Sequence, residues 1–225
     1  MTAGPVPAPP PRPAFATVVL DVDSTLCDVE GIDWLARRRG RRTAREIARL
    51  TDRAMAGELA LDRVYGERLA RIRPSAGEVA ALAMVYRSQL APGAAAAIAA
   101  LREAGVALHL VSGGLREAIL PVAAALGFGP ESVHAVTVRF DGAGAYAGFD
   151  EASPLATQEG KPRVVRALGC AAPVLAVGDG ATDLAMRSVA DTFAAFTLFA
   201  RREPVVRAAD RELRSFAELL QLVLP

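Results

Sequence analysis

The sequence predicts an α/β fold: a doubly wound parallel sheet with a small helical cap inserted after the first strand. Three observations carry this. Apolar runs at Phe15–Leu20, Val106–Val111 and Val174–Val177 each end in a small polar turn. Segments of helical period alternate with these runs, and strands alternating with helices make a parallel sheet covered on both faces. From Gly31 to about Gln89 the apolar residues recur at helical spacing, with no strand signal.

The first strand covers 15–22. In the insertion, Ile32, Leu35 and Ala36 recur at helical spacing, then Ile47, Leu50 and Met55, then Leu59, Leu61, Val64, Leu69 and Ile72. The basic run Arg37–Arg42, broken only by Gly40, reads as a solvated helix end and loop. Pro74-Ser75 opens another helix, with Glu78 three residues on as a capping box. Ala91-Pro92-Gly93 returns the chain to the sheet, and a helix at 94–104 stops at Gly105. A strand at 106–111 and a helix at 115–126 follow. Residues 133–149 alternate like a hairpin turning at Asp141-Gly142. Helix 160–168, strand 173–177, helix 182–189, a short strand near 192–196 and a helix at 214–223 complete the order. Residues 15–26 and 92–225 are expected to form the catalytic core, with 27–91 as the cap over the sheet's C-terminal edge.

Six of the fifteen prolines fall within residues 1–14, which reads as a disordered or polyproline-like tail and lacks a signal peptide's basic start and apolar run. At 225 residues the chain can bury a sizeable core. A net charge of +1 makes no case for nucleic acid or an anionic membrane as partner. No apolar stretch reaches transmembrane length free of charge. Two distant cysteines, Cys27 and Cys170, imply no disulfide framework, and a reducing cytoplasm is the default. Cys27 reads as small apolar filler near the first strand's end. No sign of oligomeric state is legible.

The chemistry gathers at the strand ends. Asp21-Val22-Asp23-Ser24-Thr25 places two carboxylates at i, i+2 where a buried strand stops. That is costly unless something cationic or phosphorylated lies between them, so the run suggests a catalytic carboxylate pair with a metal. The bland alternative is a turn and a helix cap. Of twenty-six basic residues twenty-five are Arg, and the sole lysine is Lys161. Its retention in so Arg-biased a chain points to a need for a compact ammonium on a flexible stem. The strand at 174–177 ends in Gly178-Asp179-Gly180-Ala181-Thr182-Asp183, where the glycines are expected to turn the backbone sharply and let it approach a ligand. The strand at 106–111 ends in Ser112-Gly113-Gly114. Neighbouring strands lie ~4.8 Å apart, so these turns can converge. A hydroxyl, glycine amides, one lysine and four acids suit a phosphate plus a hard divalent cation.

These four motifs, in this order, resemble those of the haloacid-dehalogenase-like phosphotransferases, with their Rossmann-like core. Glu30-Gly31-Ile32-Asp33, Arg53-Ala54-Met55, Glu67-Arg68-Leu69 and Tyr146–Glu151 resemble stretches of the phosphoserine phosphatase subfamily. The similarity runs from about residue 15 almost to the C-terminus. The resemblance implies a Mg²⁺-dependent phosphomonoesterase releasing L-serine and phosphate from O-phospho-L-serine, the last step of serine biosynthesis. It assigns the nucleophile to Asp21 and the general acid and base to Asp23. It gives Mg²⁺ to Asp21, the backbone carbonyl of Asp23, and Asp179, with Asp183 orienting a metal-bound water or holding Lys161. Ser112 and the Gly113 amide would bind phosphate oxygens, and Lys161 would neutralise charge on the transferring group. Arg68 would grip the substrate carboxylate and Glu30 its ammonium, with Met55, Gly57 and Thr182 shaping the pocket. Read without the resemblance, Arg68 is an exposed helix charge and Glu30 a first-turn acid. Leu61, where the family has Phe, and Thr197-Leu198, where it has Gly-Gly, depart from the pattern and bear on substrate identity. The alternatives are transfer of the phosphoryl group to another alcohol, action on another small phosphorylated metabolite, and a non-catalytic phospho-ligand binding protein on the same fold.

Overall fold

The first apolar run forms β1 (Thr17–Leu20), with all four residues buried, at the centre of a six-stranded sheet. The computed structural model describes residues 12–225 except 57, 61 and 63. The expected tail up to residue 11, and Gly57 and Leu61, lie outside the described residues. On one side β1 pairs in parallel with β2 (Ala107–Leu115), and beyond it lies β3 (Val133–Val136). On the other side it pairs with β6 (Val174–Gly178), followed by β7 (Thr192–Phe196) and β8 (Arg211–Leu213), again parallel. Strand order is β3-β2-β1-β6-β7-β8, and α5 (Ala94–Glu103), α6 (Arg116–Ala125), α7 (Gly160–Leu168) and α10 (Phe216–Val223) flank the sheet. This is the predicted α/β, Rossmann-like arrangement.

Register positions the chemistry. Leu20 lies opposite Val177, and Asp21 N donates to Val177 O at 3.0 Å, so the chain leaves β1 beside Gly178 and Asp179. The central strands are buried on both faces and read as near-continuous apolar runs, as parallel strands do.

The helical insertion comprises α1 (Gly31–Arg37), α2 (Arg41–Met55), α3 (Tyr65–Ile72) and α4 (Ala76–Ser88). Gly40, with φ of 91°, turns the chain between α1 and α2, a conformation open to glycine. Ser75 and Glu78 form the expected capping box. Helix α4 packs along α6, which seats the insertion on the sheet side of the molecule. Tyr65 reaches down from α3 to donate to Gly113 O at 2.7 Å.

Four local expectations change. Residues 133–136 join the main sheet as β3, and only β4 (Val138–Phe140) and β5 (Tyr146–Phe149) form the hairpin. Its loop spans 141–145, because Asp141 Oδ1 accepts from Ala143 N and Ala145 N and the left-handed residue is Gly144, not Gly142. β2 continues through Ser112-Gly113-Gly114, since Leu115 still pairs with Val136 after a register shift. The helix expected at 182–189 is α8 (Ala181–Leu184) followed by a 3₁₀ turn, Ala185–Ser188. The sequence reading also lacked α9 (Glu203–Ala208) and β8. Among the described residues no helix is long and apolar enough to cross a membrane.

Candidate active site

A cavity opens where β1, β2 and β6 end beneath the helical insertion. It is lined by Asp21, Asp23, Glu30, Met55, Arg68, Ser112, Gly113, Lys161, Asp179 and Thr182, with Ile32, Thr51 and Tyr65 among the other walls. Every described residue expected to act on phosphate or substrate therefore meets at one place, except Asp183, which stands directly behind Lys161.

Lys161 is the second residue of α7, almost fully buried, with Nζ 2.6 Å from Asp21 Oδ1 and 2.5 Å from Asp183 Oδ1. Burial alone would lower its pKa, but the charges of Asp183 and Asp21 outweigh that and hold it above the ordinary lysine range, so it stays an ammonium. Gly160 lets α7 start hard against the 3₁₀ turn Pro154–Ala156, because a Cβ there would collide with the Pro154 carbonyl. Asp183 Oδ2 also accepts from Gly180 N at 2.9 Å, so the acid both caps α8 and holds the lysine. Gly178 and Gly180 do not have the left-handed backbone expected of a sharp turn. Gly178 makes room for the Asp183 carboxylate, and a Cβ at Gly180 would meet Met55 Sδ at 2.8 Å.

The two carboxylates of the first motif diverge. Asp21, 5% exposed, points to Lys161, and among the described residues its Oδ2 accepts no hydrogen bond. Asp23 turns to the insertion: Tyr86 Oη donates to Oδ1 at 2.5 Å and Gly31 N to Oδ2 at 3.3 Å. Burial, then the charges of Glu30 and Asp21, push its pKa well above the usual carboxylate range, and the two hydrogen bonds only partly oppose this. Two acids two residues apart thus occupy different surroundings, one against an ammonium and the other under a phenol hydroxyl and a backbone amide.

Asp21, Asp179 and Asp183 present buried carboxylate oxygens within 4.8 Å of one another. The donors are all oxygens, as a hard divalent cation requires. Among the described residues, Asp179 Oδ2 is buried without a hydrogen bond, and Arg202 Nη1, likewise without one, is pressed against it as an ion pair. An oxygen set of this charge, in which Asp21 Oδ2 and Asp179 Oδ2 accept no hydrogen bond among the described residues, fits a metal. The side chain of Asp23 lies with Tyr86 and outside this cluster, leaving its backbone carbonyl as the expected ligand.

Ser112, 1% exposed, sits at the cavity floor with Oγ accepting from Gly114 N at 3.0 Å. On the opposite wall Arg68 is 3% exposed, which excludes the reading of a solvated helix charge. Its Nη1 donates to Thr51 Oγ1 at 2.8 Å, Thr51 donates on to Asp33 Oδ1 at 2.6 Å, and among the described residues its buried Nε has no partner. Glu30 is not a first-turn acid either: it is the N-cap residue of α1, its side chain makes no cap hydrogen bond, and Oε1 accepts from Ser24 at 2.8 Å and lies 3.5 Å from Arg202. Burial raises its pKa to about 7.

Tyr86, Thr51 and Arg202 belong to the site but to no motif in the sequence reading. Arg202 lies 172 residues from Glu30 and is one arginine among twenty-five, so nothing in the sequence marks it. Tyr86 falls on the buried face of α4, where nothing in the sequence marks it. Cys27 is buried filler as expected, its thiol pKa pushed up by burial, with Sγ 3.4 Å from Tyr86 O.

Known proteins are similar to this chain in sequence and in fold. The sequence profile of the haloacid dehalogenase-like hydrolases matches residues 18–188. The chain is 37% identical over 206 residues to the phosphoserine phosphatase of Mus musculus, covering 90% of this chain and 91% of that one. It is 35% identical over 208 residues to the chloroplastic phosphoserine phosphatase of Arabidopsis thaliana, covering 90% of this chain and 70% of that one. The crystal structure of a phosphoserine phosphohydrolase-like protein from Francisella tularensis superimposes with a TM-score of 0.84 at 25% identity, covering 92% of this chain and 98% of that one. The matched profile and these relatives agree, and the chain belongs to the haloacid dehalogenase-like hydrolases, in the phosphoserine phosphatase branch of phosphoric monoester hydrolases.

Proposed function

We propose that the chain hydrolyses O-phospho-L-serine to L-serine and phosphate through an aspartyl-phosphate on Asp21, with Mg²⁺ as its cation. The reaction would be the last step of serine biosynthesis, in the cytoplasm, with a small phosphorylated metabolite as partner and neither nucleic acid nor membrane. Residues 27–91 would act as a cap over a core of 15–26 and 92–225.

The observation that carries the reading is the pair of acids with opposed surroundings: Asp21 against Lys161, and Asp23 held apart with a raised pKa. Lys161 holds Asp21 Oδ1 and leaves Oδ2 to attack phosphorus as the serine oxygen departs. Asp23, protonated, gives its proton to that oxygen. It then takes one from the water that attacks the acyl-phosphate, and Asp21 is restored. Ser112 Oγ and the Gly113 amide would hold phosphate oxygens while Lys161 offsets their charge. Asp21, Asp179 and the Asp23 carbonyl would hold the cation, which supplies charge neutralisation on the phosphoryl group. Arg68, with an unpartnered Nε, suits the substrate carboxylate. Glu30, whose pKa is raised to about 7, would be held ionised by the substrate ammonium.

A phosphate-release assay on phosphoserine, with Mg²⁺ and with EDTA, tests this. Wild type should turn over only with the cation. Asp21→Asn should fall to background while its circular dichroism is unchanged, because an amide forms no acyl-phosphate. Ordinary turnover by Asp21→Asn would sink the mechanism.

A further inference from the structure

Tyr86 lies in the last turn of α4, is fully buried, and spends its hydroxyl on one acceptor, Asp23 Oδ1 at 2.5 Å. The other oxygen of that carboxylate takes Gly31 N from the start of α1. The acid is therefore clamped by two donors, both from the helical insertion, while it reaches the cavity from the β1 loop. The fit around the hydroxyl is close. A Cβ at Gly31 would land on Tyr86 Oη, and one at Gly114, on β2, would come within 3.4 Å of it. The tyrosine tip thus sits where α1, α4 and the end of β2 meet, and it leaves the Asp23 carboxyl one orientation.

We propose that Tyr86 is a positioning residue for the proton-transfer step: it fixes the rotation of the Asp23 carboxyl so that its acidic oxygen faces the departing ester oxygen. This rests on the function proposed above. The competing reading is that a buried tyrosine hydroxyl needs some acceptor and takes the nearest. The two differ in what the reaction feels. A positioning role matters only when the leaving group needs a proton. Serine, an alkoxide leaving group, needs one; p-nitrophenolate does not.

The experiment follows a single turnover with enzyme in excess and Mg²⁺ present, which isolates formation of the acyl-phosphate from its hydrolysis. Tyr86→Phe should slow serine release from phosphoserine about tenfold, the effect of losing one hydrogen bond, with the half-saturating concentration unchanged. Release of p-nitrophenolate should stay within about twofold. Gly31→Ala, which displaces the hydroxyl while leaving the tyrosine in place, should reproduce the same selectivity and covers the case in which Tyr86→Phe misfolds. The double variant should be no slower than Tyr86→Phe alone, since both changes break one contact. Equal slowing on both substrates, an unchanged rate on phosphoserine, or additive effects in the double variant would overturn the positioning role. A wild type that cleaves p-nitrophenyl phosphate but releases no serine would overturn the substrate reading instead, and this inference with it.

Discussion

At the scale of single residues, burial decides roles that residue type leaves open. Arg68 and Glu30 are ordinary surface types, yet both face the cavity, and Arg68 is held by Thr51 with Asp33 behind it. A guanidinium taken out of water with its Nε unsatisfied is expensive to keep without a partner, and an incoming carboxylate supplies one. Arg68→Ala is therefore expected to raise KM for phosphoserine by one to two orders of magnitude, from a lost bidentate pair worth about 1.5–3 kcal/mol. It should leave p-nitrophenyl phosphate, which has no carboxylate, within a few fold. Steady-state kinetics on both substrates checks this, and equal loss on the two would make Arg68 a packing residue.

At the scale of elements, α4 is fixed at its start by the Ser75–Glu78 capping box and tied to the end of α1 by Arg39. The guanidinium donates to both Glu78 oxygens at 2.7 Å and to the Ile72 carbonyl at 2.6 Å. Since α4 carries Tyr86, this cluster anchors one wall of the site. The Arg39 hydrogen bonds, with the backbone bond from Ser75, lower the Glu78 pKa to about 2, against burial pulling the other way. A depressed folded pKa gives stability that is present above the unfolded value, near 4.5, and is lost as pH falls from there toward 2. Glu78→Gln should lower the melting temperature at pH 7 by a few degrees, as a lost cap of about 1 kcal/mol does. It should also flatten the fall in stability between pH 4.5 and 2. Melting curves of both proteins across that range decide it; parallel curves would mean that the cluster is not coupled to folding.

At the scale of the whole molecule, the parallel sheet concentrates charge at one edge. Five acids (Asp21, Asp23, Glu30, Asp179 and Asp183) gather with three cations (Arg68, Lys161 and Arg202) at the ends of β1, β2 and β6. The surplus is negative, and Asp179 relies on Arg202 alone for compensation of its Oδ2. A divalent cation that binds only the folded chain should stabilise it by about 2.7 kcal/mol at a hundred times its Kd, raising the melting temperature by roughly 5–10 °C. Asp179→Asn should remove most of that rise. Calorimetry with Mg²⁺ and with EDTA measures it, and an unshifted wild-type transition would mean that Lys161 and Arg202 already neutralise the cluster.

The sequence by itself determined the α/β class, the order of most elements and many of the residues meeting at the site, though not Tyr86, Thr51 or Arg202. Apolar runs and helical periods are local, and Asp21, Lys161 and Asp179 lie at strand or helix ends that local pattern reveals, while Ser112 lies inside β2, three residues before its end. The hairpin boundary was misplaced because β3 takes its partner from β2, more than twenty residues upstream, and alternation alone does not name a partner. The short β8 and α9 carried too few residues for a period to emerge. Only the tertiary structure decided that Gly178 yields space to Asp183, that Arg202 meets Asp179, and that Tyr86 holds Asp23. Those contacts join segments 5, 23 and 63 residues apart through space, and their chemistry depends on distance and on exclusion of water, neither of which is written in the order of residues.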